Sequence, residues 1–190
     1  MSDSKDESAI IHPHGYWLVN DGHIFDAQLC AAIVDFLKGE KAIDAVDFGC
    51  GPGRYVEAMN SEGIKAKGFD GSPWLQGTPD CYVADLSQPF FPGDYDWALS
   101  LEVGEHIPSE FQETFLDNIA EAAAFGVILS WAVPGQGGRG HVNCQTNEWV
   151  KAKMLLRGFS HDDEAQKLLR SKASESYYRN TLMVFRRKGE

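Results

Sequence analysis

The sequence predicts an α/β fold in which helices cover both faces of a mostly parallel sheet. Apolar runs of strand length alternate with helix-period segments along most of the 190-residue chain. A glycine-rich turn at residues 47–53, Asp-Phe-Gly-Cys-Gly-Pro-Gly, joins the first apolar run to a helical pattern. Two later apolar runs end in Asp70 and Asp85, and the ends of strands are where such sheets bind ligands.

Composition indicates one globular domain without a membrane or nucleic-acid partner. A hydrophobic content of 43% is typical of a folded core, and no apolar run approaches the roughly 18–20 residues of a membrane span. The net charge of −11 opposes binding to a phosphate backbone, because that affinity comes from Lys and Arg. The four cysteines show no C-x-x-C spacing, which favours reduced thiols and a cytoplasmic protein.

The N-terminal residues divide into a tail and an arm. Residues 1–10 begin polar and acidic, and we expect a disordered tail. Residues 11–41 combine an arm rich in aromatic and imidazole groups with a helix capped by Asp26. Two interpretations of the arm stay open. Its rings either pack on the domain edge or cover a ligand site, where Tyr16 and Trp17 would shape a substrate pocket.

The first half of the core predicts a nucleotide-type site with shortened connections. Strand 42–48, the glycine turn and helix 54–61 place bare backbone and unpaired N–H groups at one point. Asp70 ends the second strand, and its carboxylate can accept from both hydroxyls of a ribose. The connections around the short third strand, 81–84, are rich in Pro and Gly, so we expect reduced crossover helices.

The second half continues the alternation and contains one unusual loop. The loop at residues 130–143 is too rich in glycine to be helical and follows a strand, which is where substrate groups are placed. The predicted elements are strand 96–101, a helix from 108 to 123, strand 127–131, helix 146–156, a short strand after 158, helix 162–171 and strand 181–186.

Two motifs carry a resemblance to a known family. Residues 47–53 match D-x-G-x-G-x-G, and residues 102–108 match E-x-x-E-H-I-P. Both resemble class I methyltransferases that depend on S-adenosylmethionine (SAM), over about residues 42–187. The resemblance implies a Rossmann-like sandwich of seven strands with an antiparallel last strand. Residues 42–190 would form the SAM-binding methyltransferase core.

The resemblance also implies a set of cofactor-binding residues. Asp47 would support the turn, and Asp70 would bind the ribose. Asp85 would receive the adenine amino group, Leu86 would touch the ring, and Glu102 would line the methionine end. The implied cofactor-binding residues are Asp47, Gly49, Gly51, Gly53, Asp70, Asp85, Leu86 and Glu102.

The implied reaction is methyl transfer (EC 2.1.1.-) to an oxygen or nitrogen of a small molecule. A small acceptor is expected because no insertion is large enough to form a separate substrate domain. A base is needed only if the acceptor arrives protonated, and histidine titrates near neutrality. His106 and His141 are therefore the candidate catalytic residues. The candidate substrate-binding residues are Tyr16, Trp17, Trp131 and Arg139.

A metal-assisted O-methyltransferase is one alternative. If residues 102–106 are helical, Glu102, Glu105 and His106 share a face, and His141 can join them from the loop. Such a set suits a divalent metal such as Mg²⁺, Mn²⁺ or Fe²⁺, which would orient an acceptor hydroxyl and lower its pKa. The arrangement is similar to that of small-RNA 2′-O-methyltransferases and ubiquinone-pathway O-methyltransferases, although methyltransferases without metal share the E-x-x-E-H stretch.

The sequence leaves two further functions open. An NAD-dependent oxidoreductase would also use a glycine turn and a strand-end acid, but the G-x-G-x-G spacing and the Asp85-Leu86 pair argue against it. A non-catalytic scaffold could keep the SAM fold to bind a partner, and the intact set of cofactor motifs argues against that.

Overall fold

The computed structural model describes residues 10–189 and contains one seven-stranded sheet. Its strands are β1 Asp44–Phe48, β2 Lys65–Asp70, β3 Cys81–Val83, β4 Tyr95–Ser100, β5 Ala123–Leu129, β6 Phe159–His161 and β7 Met183–Arg187. Their order is β3-β2-β1-β4-β5-β7-β6. Strands β1 to β5 pair in parallel, whereas β7 is antiparallel to both β5 and β6. The predicted fold class, including the antiparallel last strand, is confirmed.

The helices cover the two faces of this sheet. They are α1 Ala27–Gly39, α2 Arg54–Ser61, α3 Gln112–Ala122, α4 Asn147–Leu156, α5 Asp163–Lys172 and the short α6 Tyr178–Thr181. Helices α1, α2 and α5 pack on one face, where β1 and β4 contribute Ala45 and Leu99. Helices α3 and α4 pack on the other face against Val46 and Ala98. The alternation of neighbouring residues between the faces is the two-residue period of a strand buried on both sides.

The connections are reduced where the sequence predicted it. A single 3₁₀ turn, Pro73–Leu75, lies between β2 and β3, and no helix lies between β3 and β4 in the described chain. Helix α6 was not predicted, since four residues carry too short a pattern. None of the helices within residues 10–189 has the length and apolar character needed to cross a bilayer.

The predicted start of the fifth strand is wrong. Strand β5 begins at Ala123, immediately after α3, and ends at Leu129, so Gly126 lies inside the strand. A Cβ at Gly126 would lie 2.3 Å from the ring of Trp97 on the neighbouring strand. Gly126 therefore lies within the strand and makes room for the buried indole of Trp97.

The arm forms a small hairpin beside the carboxyl ends of the strands. Ile11 bridges Trp17, and the Leu18 N–H donates to the Ile10 carbonyl at 2.8 Å. Residues 1–9 of the predicted acidic tail lie outside the described residues. After the arm, Asp26 caps α1 and also accepts hydrogen bonds from the backbone N–H and the hydroxyl of Ser174. These bonds hold the end of the arm against the segment between α5 and α6.

Candidate active site

One cavity of about 460 Å³ lies at the carboxyl ends of β1, β2 and β4. This is the expected position of a ligand site in a doubly wound sheet. Its lining includes the arm, the glycine turn, the end of β2, the turn at residues 101–107 and the loop at residues 136–141. The predicted residues on its wall are Tyr16, Trp17, Asp47, Gly49, Gly51, Asp70, Leu86, Glu102, Glu105, His106, Arg139 and His141.

The glycine turn depends on left-handed backbone. Gly49, Gly51 and Gly53 have φ values of 84°, 49° and 78°, a region that L side chains rarely adopt. A Cβ at Gly49 would lie 2.3 Å from the side chain of Val103. Gly49 and Gly51 line the cavity, whereas Gly53 is set back as the N-cap of α2, against Cys81.

Two acids, Asp70 and Asp47, line the cavity beside the glycine turn. Asp70 accepts from the Gly51 N–H at 3.0 Å and from the Ser72 N–H at 2.9 Å, one bond to each carboxylate oxygen. Each oxygen keeps a lone pair for a ligand. Burial raises the pKa of Asp47 to about 7, and the neighbouring charge of Asp70 adds to the shift. Asp47 is therefore largely uncharged below neutral pH.

The side chain of Glu102 links the turn at residues 101–107 to the glycine-rich loop through Gln136. It is a non-glycine residue with φ of 54°, which is a strained conformation. Its carboxylate accepts from Gln136 Nε2 at 2.5 Å and from Thr181 Oγ1 at 3.0 Å. The chain at this point is a turn closed by the bond from the His106 N–H to the Val103 carbonyl, and no helix forms.

Glu105, His106 and His141 form a compact group. One potential ligand atom from each lies within 4.8 Å of the others. Glu105 is fully buried, and neither carboxylate oxygen has a hydrogen-bond partner among the described residues. Burial, followed by the nearby charge of Glu102, raises the pKa of Glu105 well above its usual range. Glu102 itself lies outside the group, because the turn directs its carboxylate toward Gln136 and Thr181.

Both imidazoles are held by a backbone carbonyl at the same ring nitrogen, Nδ1. His106 Nδ1 lies 3.1 Å from the Gly140 carbonyl, and His141 Nδ1 lies 3.3 Å from the Gln136 carbonyl. Since a carbonyl oxygen only accepts, each Nδ1 carries a proton, and in the neutral form of His106 Nε2 keeps its lone pair. Burial, with a smaller effect of His141, lowers the pKa of His106 to about 4, so this ring is neutral at pH 7.

The candidate acceptor residues divide into two groups. Trp17 and Arg139 lie together at the cavity, with the guanidinium carbon 5.7 Å from the ring centre, and Tyr16 packs on Gly71. Trp131 does not reach the cavity. It is fully buried and donates from Nε1 to the Asn143 carbonyl at 2.6 Å. We therefore remove Trp131 from the proposed acceptor contacts.

Two histidines on the cavity wall are absent from the predicted site residues. His14 lies 2.5 Å from Asp85, and the ring of His23 lies 3.1 Å from where a Cβ of Gly51 would be. His23 Nε2 is buried without a partner among the described residues. Their signal was only the density of histidines in the arm, which carries no spacing pattern.

The fold and the cavity define a doubly wound α/β protein with a small-molecule site at the switch from β1 to β4. A family model described as a methyltransferase domain matches residues 22–174. The chain therefore belongs to the class I SAM-dependent methyltransferase family, as its two motifs predicted.

Individual relatives are distant. A probable chloroplastic tocopherol O-methyltransferase of Oryza sativa subsp. japonica is 33% identical over 57% of this chain and 34% of its own length. The chain thus spans about a third of that curated relative. The SAM-bound magnesium protoporphyrin IX methyltransferase of Synechocystis PCC 6803 has a TM-score of 0.65 at 21% identity, covering 85% of this chain and 79% of its own.

A third similar protein acts on a sugar. It is the SAM-bound amino pentose methyltransferase CalS10 of Micromonospora echinaspora, with a TM-score of 0.67 at 13% identity, covering 89% of this chain and 94% of its own. At these identities the two structures establish the fold alone. The predicted cytoplasmic location stays a prediction.

Proposed function

We propose that this protein transfers the methyl group of SAM to an oxygen or nitrogen of a small molecule. The observation that carries the proposal is that one cavity joins the glycine turn, Asp70 and Glu102 to two imidazoles, His106 and His141. The names of the similar proteins specify tocopherol, magnesium protoporphyrin IX and an amino pentose. All three are small molecules, which agrees with a cavity of about 460 Å³.

The residues on the wall fit SAM. Bare backbone at Gly49 and Gly51 permits close approach, and Asp70 keeps acceptor capacity for two ribose hydroxyls. The side chain of Glu102, held by Gln136 and Thr181, offers carboxylate oxygens to the ammonium group of the cofactor. When bound, SAM supplies a methyl group on a positively charged sulfur.

The chain's own contribution on the acceptor side is a neutral base in a sheltered position. The Nε2 lone pair of His106 can take the proton of an acceptor hydroxyl or amine, because its Nδ1–H is held by the Gly140 carbonyl. The ring of Trp17 meets that of His106 edge-on, with 5.8 Å between centres, and screens it from solvent. Arg139 beside Trp17 can contact the outer part of an acceptor.

Metal-assisted methyl transfer is the second candidate, and the Glu105 group favours it. The buried carboxylate of Glu105 has no hydrogen-bond partner among the described residues and lies 3.9 Å from Nε2 of His141, and each imidazole donates its Nδ1–H to a carbonyl. Metal-binding histidines are held in this way. A divalent ion held by Glu105, His106 and His141 would lower the pKa of an acceptor hydroxyl.

Thermal unfolding with SAM, S-adenosylhomocysteine and NAD, each with and without a chelator, tests the cofactor. A ligand at 100 times its Kd stabilises the fold by about 2.7 kcal/mol. We expect a shift with both adenosyl ligands, none with NAD, and a smaller shift in the Asp70→Asn variant. A chelator-sensitive melting temperature would support the metal candidate. Stabilisation by NAD alone would contradict the proposal.

The catalytic part requires acceptors. Purified protein with labelled SAM is incubated with a panel of phenols, carboxylic acids, amino sugars and aromatic amines, and product methylation is measured by mass spectrometry. Methylation of one class identifies the acceptor atom. Tight SAM binding without transfer to any acceptor would favour the non-catalytic scaffold instead.

A further inference from the structure

The hydrogen-bonding capacity of Asp85 is already used within the chain. One carboxylate oxygen accepts from the Ser87 N–H at 3.0 Å and from Ser87 Oγ at 2.7 Å. The other lies 2.5 Å from Nδ1 of His14. Burial raises the pKa of Asp85, but the hydrogen bonds from His14 and Ser87 outweigh burial and hold it below its usual value. Asp85 is therefore an ionised carboxylate that acts only as an acceptor.

The position of His14 separates Asp85 from the cavity. His14 lines the cavity wall together with Leu86, whereas Asp85 is not among the lining residues. The ring of His14 packs against the ring of Phe111, with 5.2 Å between ring centres. Since an ionised carboxylate only accepts, Nδ1 of His14 carries a proton, which leaves Nε2 as the second hydrogen-bonding atom of the ring.

The neighbours of His14 on the cavity wall include residues that the family resemblance assigns to the adenine and ribose of the cofactor. Leu86 lies on the same part of the wall, and Tyr16 on the same hairpin packs on Gly71, directly after the ribose-binding candidate Asp70. A Cβ on Gly71 would lie 2.3 Å from the Tyr16 ring. The hairpin thus places the ring of Tyr16 and the imidazole of His14 on the same cavity wall as Asp70 and Leu86.

We propose that His14, and not Asp85, binds the amino group of the cofactor's adenine. This inference rests on the proposed function, because it presumes an adenosyl ligand. Nε2 of His14 accepts a hydrogen bond from the amino group. Asp85 is a positioning residue that fixes the ring and its protonated nitrogen. The acid implied by the family resemblance keeps its place, but an imidazole from the arm stands in front of it.

The chemistry gives a matched pair of ligands. S-adenosylhomocysteine presents an amino donor at the purine 6-position, and S-inosylhomocysteine presents an oxygen acceptor there. A lone pair on Nε2 binds the first group and repels the second. A site that hydrogen-bonds a donor discriminates strongly against an analogue that lacks it.

Calorimetric titration of both ligands into four proteins tests the proposal. These are wild type, His14→Phe, Asp85→Asn and the control His161→Phe, which changes a histidine on β6 that bonds Gln166 away from the cavity. We expect wild type and the control to prefer the adenosyl ligand by about tenfold or more, as expected for one good hydrogen bond. The preference should fall to about twofold or less in His14→Phe and remain in part in Asp85→Asn. Melting temperatures establish that each variant is folded.

The outcomes separate the two proposals. Failure of wild type to bind S-adenosylhomocysteine would overturn the proposed function and the inference together. Normal binding with an unchanged preference in His14→Phe would overturn the inference alone. The inference also fails if Asp85→Asn abolishes the preference while His14→Phe keeps it, because Asp85 would then be the group that contacts adenine.

Discussion

The cofactor half of the cavity and its acceptor half are built by different means. The cofactor half consists of backbone and acids at the ends of β1 and β2, such as Gly49, Gly51 and Asp70. The acceptor half is assembled from side chains far apart in the chain, such as His106 on one turn and His141 on another loop. The first half is fixed by local conformation, and the second by tertiary contacts.

This difference has a consequence for substitution. A change in the cofactor half should disturb the fold as well as the ligand, because the same backbone serves both. A change in the acceptor half should affect the reaction and leave the fold largely intact. The predictions below test that contrast, beginning with the largest expected effect.

The Gly49→Ala variant should lose both stability and cofactor binding. Gly49 combines a φ of 84° with a Cβ position only 2.3 Å from Val103. Strain and overpacking together should cost about 2–5 kcal/mol of unfolding free energy. The control is Gly63→Ala, which has a φ of 87° but no atom within 4 Å of its Cβ position. Urea unfolding should show a cost of only about 1 kcal/mol there, and equal losses in both variants would contradict a specific role of Gly49.

The His106→Gln variant should lose about a hundredfold or more in kcat while binding SAM normally. The reason is the loss of a neutral base at the acceptor, whereas the proposed cofactor contacts are made by other residues, Gly49, Gly51, Asp70 and Glu102. Single-turnover rates and calorimetry separate the two effects. His161→Gln is a matched control, since this histidine lies on β6 and bonds Gln166 away from the cavity. A kcat equal to that of wild type would exclude His106 as the base.

The two halves should also respond to pH with opposite sign. The folded pKa of Asp47 is about 7, above its usual 3.8. Its contribution to stability is present below 3.8 and is lost as pH rises through 7. The folded pKa of His106 is about 4, below its usual 6.5. The unfolded chain therefore binds more protons there, and stability is lost as pH falls from 6.5 toward 4.

Urea unfolding of Asp47→Asn and His106→Gln across pH 4 to 8, with chelator present, tests these signs. Relative to wild type, Asp47→Asn should gain stability as pH rises, by up to roughly 1.4 kcal/mol per pH unit. His106→Gln should gain stability as pH falls. Parallel slopes for the two variants would show that burial does not shift these groups in opposite directions.

The contrast explains how much the sequence could predict. The glycine turn and Asp70 could be located because positive φ and strand ends leave a pattern in the sequence. The arrangement of Glu105, His106 and His141 could be proposed only as an alternative, since it depends on where a loop folds back. The contact between His14 and Asp85 joins residues 71 positions apart, and no local rule records such a contact. Trp131 was placed with the acceptor residues because aromatic side chains on a loop also suit a substrate.

The Trp131→Phe variant should give the smallest effect and should act on stability alone. Phenylalanine keeps most of the ring but leaves the Asn143 carbonyl without the indole N–H, at a cost of about 1–3 kcal/mol. Asn143 in turn donates through its side chain to the Ile107 carbonyl, so Trp131 holds the end of the loop on the turn that carries His106.

Trp149→Phe is the control, because the Trp149 indole N–H makes no hydrogen bond among the described residues. Chemical unfolding and acceptor kinetics are measured for both variants. A lower unfolding free energy with unchanged KM is expected for Trp131→Phe, and a raised acceptor KM at unchanged stability would return Trp131 to the substrate site.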